Sequence, residues 1–390
     1  MRGLLLLLCA VLILSSAFTA CGGEGDSLAD SSAAPAEESV FSEVGGSGEG
    51  SEESTESTDT EEDKNLRYHT KTYTFDSLKG EHENTVIENG VLKLKELQSS
   101  GSFICKLDIG SFDTILASWS ANTHKGKVEL AVSFEVEGGE WSDYLSWGPW
   151  SSKEGVSASV SNKCSKGLGK IGIDILTVDK GHTATGNIKV KLSLRYGSKS
   201  PEVRDFSLTT PQMEKQQTVD TAALPESFLN DVPMRSQLAP ENGSDGNRIC
   251  SPTTAVMALE YMGTKLDTMT AAKGIYDNGW QAYGNWSFAV AYTAEKGYTA
   301  YVDLYDREMM KYALSQGCTV GCSTYLTASG HLVLVVGYTV IDGVEYYIVN
   351  DPNVNAANPV RTNYTMDYFE DCWLRDNMNG YGVAYVFEGK

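Results

Sequence analysis

Cys250-Ser251-Pro252-Thr253-Thr254-Ala255-Val256-Met257 sets a cysteine just ahead of a proline, at the head of a run with helical apolar spacing. Proline lacks an N–H and has its φ preset, so it belongs in the first turn of a helix. Ala255, Val256, Leu259 and Met262 then form one apolar stripe, and Gly263 is a stop signal. A thiol at such a helix start meets unpaired N–H groups and the positive end of the helix dipole, which favour thiolate over thiol. Downstream, Gly330-His331-Leu332-Val333-Leu334-Val335-Val336-Gly337-Tyr338 carries the only histidine of the C-terminal half. Ile348-Val349-Asn350-Asp351-Pro352 ends the next apolar run on an acid. Thiol, imidazole and carboxylate are the parts of a cysteine hydrolase. Strands are expected over Thr319–Tyr325, Leu332–Tyr338, Glu345–Val349 and Val383–Phe387, so the helix is followed by a sheet.

Upstream the texture differs. Val86-Ile87, Gly90–Leu94, Phe103–Leu107, Thr114–Trp119, Val128–Phe134 and Ile188–Leu192 alternate apolar with polar residues between Gly, Asp and Asn turn signals. They predict an all-β sandwich of jelly-roll type over residues 65–199. Within it, Glu140-Trp141-Ser142-Asp143-Tyr144-Leu145-Ser146-Trp147-Gly148-Pro149-Trp150 concentrates three tryptophans and a tyrosine. Such a cluster either closes one end of the core or offers a platform for sugar rings, and the area these rings bury favours the core. Residues 200–226, rich in Ser, Thr, Gln and Pro, read as a linker, with the second domain over 227–390.

The start of the chain has a different character. Arg2, the apolar run Leu4–Leu14 and the small residues that follow are a secretory signal over residues 1–20. Phe18-Thr19-Ala20-Cys21 resembles a bacterial lipobox, which implies lipidation of Cys21, although leucine is usual where Phe18 stands. Residues 21–64 form an acidic tether: fourteen acids against one base between 22 and 64 carry −13 of the net charge of −21. Such a segment cannot bury a core. No basic run appears, so nucleic acid is a poor partner, and the lipid anchor would be the contact with membrane.

The second domain resembles the bacteriocin-processing (double-glycine-leader) peptidase-like family of papain-like cysteine peptidases, in its secreted branch. The matching pieces are Val232-Pro233-Met234-Arg235-Ser236-Gln237, Cys250-Ser251-Pro252-Thr253, Tyr283-Gly284-Asn285-Trp286-Ser287-Phe288, the His331 stretch and Val349-Asn350-Asp351-Pro352, in the family's order. The resemblance implies an α+β papain-like fold with Cys250 as nucleophile, His331 as proton carrier and Asp351 as the residue that orients the imidazole. Neighbours on a strand point to opposite faces, so only one of Asn350 and Asp351 can reach His331, and the family pattern selects Asp351. Gln237 resembles the oxyanion-hole side chain, although Leu238–Ile249 is longer than the family's usual spacing and Ser251 stands where glycine is common. Tyr283, Asn285 and Trp286 are expected along the substrate groove or packed beneath it.

Cys318, Cys322, His331 and Cys372 are a rival zinc constellation. It would consume the one nearby histidine, so no metal and no cofactor is expected. Pairing of Cys105 with Cys164, and of Cys372 with Cys318 or Cys322, suits an oxidising compartment. The reading is a surface-anchored, extracellular thiol hydrolase acting on a peptide or isopeptide bond, with the sandwich holding it near cell-wall or other extracellular polymer. The alternatives are a peptidoglycan amidase or endopeptidase, and a non-catalytic binding lipoprotein that keeps the fold.

Overall fold

The computed structural model describes residues 66–354 and 360–389. The expected signal segment, Cys21 and the acidic tether lie outside these residues. Two antiparallel sheets build the N-terminal part. One runs, in spatial order, Thr85–Glu88, Val91–Leu94, Glu202–Thr209, Thr114–Asn122, Ile175–Val178, Gly169–Gly172 and Ser161–Lys163, with Thr70–Thr74 also paired to Glu202–Thr209. The other runs Gly80–Glu83, Ser100–Asp108, Ala184–Arg195, Lys127–Val136 and Leu145–Trp150. Along Ala184–Arg195 every second residue is buried, so Ile188, Val190, Leu192 and Leu194 face the core while lysines face solvent. Trp147 and Trp150 are fully buried in that core. They are packing residues, while Trp141 and Tyr144 stay nearer the surface.

The expected linker does not begin at residue 200. Glu202–Thr209 is a strand that pairs with Thr114–Asn122, from Glu202 opposite Asn122 to Thr209 opposite Leu116. Val203, Phe206 and Leu208 are fully buried there. The polar residues between them disguise the strand, because Arg204 reaches across to the carbonyl of Ala294 at 2.6 Å.

Among the described residues, the C-terminal part combines five α-helices with an antiparallel sheet. The helices are α1 (Cys250–Tyr261), α2 (Thr268–Ile275), α3 (Trp286–Glu295), α4 (Arg307–Ser315) and α5 (Met366–Trp373). The sheet order is Ala300–Tyr305, Tyr381–Phe387, Thr319–Thr324, His331–Ile341, Val344–Asn350, Arg361–Thr365. On the strand His331–Ile341, Leu332, Leu334 and Val336 join the core that includes α1, whereas Val333 and Val335 pack with Met309 of α4 and Phe369 and Trp373 of α5. Both faces are covered, which is why this strand reads as an unbroken apolar run.

One hydrophobic cluster is continuous from the sandwich into the helical region: it holds Phe134, Trp150 and Phe206 as well as Val256, Phe288 and Leu334. Trp119 stands edge-on to both Trp150 and Phe288, with centroids 6.5 and 6.3 Å apart. Ser287 Oγ donates to the carbonyl of Ala117 at 2.6 Å. Thr70 and Thr209 hydroxyls both donate to the carbonyl of Val302. Asp303 accepts from the N–H groups of Tyr68 and His69 at 2.8 and 2.9 Å. The two parts share a core rather than touching at a rim.

The expected disulfides are not formed. Cys105, Cys164, Cys322 and Cys372 carry free thiols. Cys105 is buried in the sandwich core, and burial pushes its thiol up to about 11. Cys164 instead accepts from the N–H of Asp143 at 3.4 Å, and Cys322 lies wholly buried beneath α4 and α5.

Candidate active site

Cys250 is the first residue of α1. The helix starts two residues earlier than a proline at its first position would require. Thr253 fixes the start: its N–H and its hydroxyl both donate to the carbonyl of Ile249, at 3.0 and 2.7 Å. No side chain caps this end and no acid lies in its first turn. The positive end of the dipole is therefore left to act on Cys250. One turn on, the Thr254 hydroxyl donates to the carbonyl of Leu332 at 3.3 Å, which ties the helix to the strand that begins at His331.

Cys250 and His331 line one cleft of about 640 Å³. His331 is buried, and its Nε2 lies 2.7 Å from Asp351 Oδ1. The Asp351 carboxylate also accepts from the N–H of Asn353 at 2.8 Å and from the hydroxyl of Tyr364 at 3.1 Å. Burial and the Asp351 charge push the Tyr364 phenol up, so it stays a donor. Asn350 faces elsewhere: its side chain donates to the carbonyl of Val232 at 3.4 Å and accepts from Arg361 Nε at 3.0 Å. With Nε2 committed to Asp351, Nδ1 is the ring nitrogen left for a proton exchanged with a thiol.

Gln237 is buried next to the same turn, its N–H donating to the carbonyl of Pro352 at 2.8 Å. Its side-chain Oε1 is buried without a hydrogen-bond partner. The long segment that follows is two short 3-10 turns within Pro240–Arg248, joined at Gly243, whose φ of 57° suits glycine. Asn242 staples it back by donating to the carbonyls of Ser236 and Gln237, at 3.2 and 2.9 Å. Arg248, at its far end, enters the cleft lining.

Tyr283 and Trp286 line the cleft. Asn285 does not. It caps α3, its side chain accepting from the N–H of Phe288 at 3.1 Å and donating to Asp277 at 2.9 Å. Asp277 is fully buried and also accepts from the N–H groups of Ser159, Gly279 and Trp280. The motif is thus split between groove and scaffold, because a helix start needs a capping side chain that a substrate cannot share.

Sequence reasoning missed two contributors to this cleft. Arg375 lines it and donates to the Tyr325 hydroxyl at 2.9 Å and to the carbonyl and hydroxyl of Ser323 at 3.0 Å. The turn Ile173-Asp174 of the sandwich lines it too. Asp174 accepts from the N–H of Trp286 at 3.2 Å, and burial raises its carboxyl to about 7, with Arg375 pulling the other way. Nothing in a short turn 76 positions before Cys250 announces a place in the same cleft.

The helix-headed cysteine shares one cleft with His331, and Asp351 holds the far side of that imidazole. Residues 229–381 match the model described as the Peptidase_C39 like family, and residues 103–210 match that of the Peptidase C39 N-terminal domain. The two matches support a C39-like family of papain-like cysteine peptidases for the regions they cover, and that likeness suggests a peptidase. A search of curated proteins found no match. Among solved structures, the enzymatically active domain of bacteriophage CBA120 tailspike protein 4 is 10% identical, with 37% of this chain and 19% of that one covered and a TM-score of 0.19. A GH26-CBM35 β-(1,4)-mannanase of Podospora anserina is 7% identical, with 50% and 35% covered and a TM-score of 0.19. TmCBM61 in complex with β-1,4-galactotriose is 14% identical, with 36% and 86% covered and a TM-score of 0.17. This chain thus spans about a fifth and a third of the first two. At these scores the likeness carries no argument.

Proposed function

We propose that this protein is a cysteine peptidase of papain-like α+β fold that cleaves a peptide or isopeptide bond through a thioester acyl-enzyme. The observation that carries the reading is that His331, held by Asp351 at 2.7 Å, lines the same cleft as Cys250. Cys250 Sγ, as thiolate, attacks the substrate carbonyl carbon while His331 holds the proton. The tetrahedral oxyanion collapses, the C–N bond breaks, and the proton passes from imidazolium to the leaving amine. Water then attacks the thioester, giving its proton to His331, and Cys250 leaves as thiolate. Asp351 keeps the imidazole oriented and steadies its positive charge. Gln237 and the N–H of Cys250 are the proposed donors to the oxyanion.

The same reading places the enzyme outside the cell, held at the membrane by lipidated Cys21 and lifted from the surface by the acidic tether. Its support is the signal and lipobox pattern in the sequence. Contact of the sandwich with cell-wall or other extracellular polymer belongs to this proposal too.

Iodoacetamide tests the chemistry directly. Cys250 should alkylate at about pH 6 far faster than a model thiol, and His331→Ala should remove that advantage. A peptide library should be cleaved by the wild type and not by Cys250→Ala. A Cys250 that reacts no faster than a model thiol would overturn the reading.

A further inference from the structure

We infer that the Ile173-Asp174 turn of the sandwich forms part of the substrate-binding wall, and that Ile173 bounds a subsite for a bulky apolar side chain of a peptide substrate. The inference rests on the peptidase reading above and gives the sandwich a direct part in choosing the substrate.

The turn joins strands Gly169–Gly172 and Ile175–Val178, with Gly172 opposite Ile175, so Ile173 and Asp174 are its two central residues. Ile173 has a φ of 62°. A β-branched residue in the left-handed region is a steric outlier, and the first central position of such a tight turn normally takes Gly, Asn or Asp. Strain of this kind persists where the surroundings over-determine it, and it clusters at ligand sites. Here the surroundings do so on three sides. The N–H of Ile173 donates to the carbonyl of Val160 at 3.1 Å. Trp147 Nε1 donates to the carbonyl of Asp174 at 3.0 Å, and the N–H of Trp286 donates to its carboxylate.

What the strained position gains is a side chain in the cleft. Gly172, Ile173, Asp174 and Ile175 all line the cavity that Cys250 and His331 line. The other walls of the cleft include Trp280, Tyr283, Trp286 and Leu332, so apolar and aromatic groups make up much of its lining, with Arg248 and Arg375 as its basic groups. Glycine in the turn would relieve the backbone and leave that wall open. A branched hydrocarbon narrows it to apolar groups of matching size.

The variant Ile173→Gly separates the two roles of the residue. At this φ glycine is relaxed, so the fold should hold and thermal stability should be equal or higher. Wild-type protein and variant are compared on peptide substrates that carry either a bulky apolar residue or alanine at each position near the scissile bond. The ratio of kcat/KM for bulky over alanine substrates should fall by about 10- to 100-fold in the variant. Ile173→Asn, which also tolerates this backbone, should fall likewise. An unchanged ratio in both variants, with active wild type, overturns the role of Ile173 and leaves the peptidase reading standing. Absent turnover in the wild type together with an unreactive Cys250 overturns the peptidase reading, and this inference with it.

Discussion

His331 Nε2 lies 2.7 Å from Asp351 Oδ1, and the second oxygen of that carboxylate is held by the Tyr364 hydroxyl at 3.1 Å. The imidazole is thus oriented by an acid that is itself oriented. Asp351→Ala should remove both effects and lower kcat/KM by roughly 100-fold or more. Asp351→Asn keeps an acceptor for the Nε2 proton and should lose less. Tyr364→Phe should be milder still. Steady-state rates on one peptide, with the pH dependence of Cys250 alkylation, rank the three. Equal activity in Asp351→Ala and wild type would remove Asp351 from the mechanism.

Gln237 offers a cleaner separation of steps. If it donates to the oxyanion, Gln237→Ala should lower kcat by roughly 100- to 1000-fold while leaving Cys250 alkylation nearly unchanged, because alkylation forms no oxyanion. A parallel loss in both would instead mark it as scaffold, in keeping with its backbone bond to Pro352.

Two buried acids, Asp174 and Asp303, and the half-buried Asp205 set an unusual pH dependence of stability. Burial raises Asp174 and Asp303 to about 7 and Asp205 to about 6. Between the ordinary carboxyl value and these, the folded state binds more protons than the unfolded state. Stability therefore falls as pH rises from about 4 to 7. Tm should drop from pH 5 to pH 8, and Asp174→Asn, which keeps an acceptor for Trp286, should flatten part of the drop. A Tm that climbs steadily over that range would contradict this.

The continuous core predicts that the sandwich and the helical part unfold together. Calorimetry should show one transition for residues 66–390, and Phe288→Ala should move the whole of it downward at a cost of about 3–5 kcal/mol. Two transitions, with only one shifted by the variant, would mean that the parts are independent.

The candidate site residues on strands and at the helix start could be proposed from sequence because their chemistry sits in short local patterns. Cys250 heads a helix with a proline in its first turn, and Asp351 ends a run of alternating faces. Ala184–Arg195 was legible because every second residue of it faces away from the core, whereas Thr114–Asn122 is buried along nearly its whole length. Helix α3 was not legible: nine of its ten residues are buried, so it has no polar face to show a helical period. Ala300–Tyr305 is buried along its whole length and shows no alternation. The Ile173-Asp174 turn reaches the cleft only through tertiary packing, which no local window contains.

The exposed stretch from Thr218 to Ser227 crosses from one half of the chain to the other outside the shared core. A protease that nicks it would cut the backbone and release nothing. The two fragments would remain married through Trp119, Trp150 and Phe288 and travel as a non-covalent heterodimer. The sandwich is then better regarded as the second half of one mould than as cargo hung beside it.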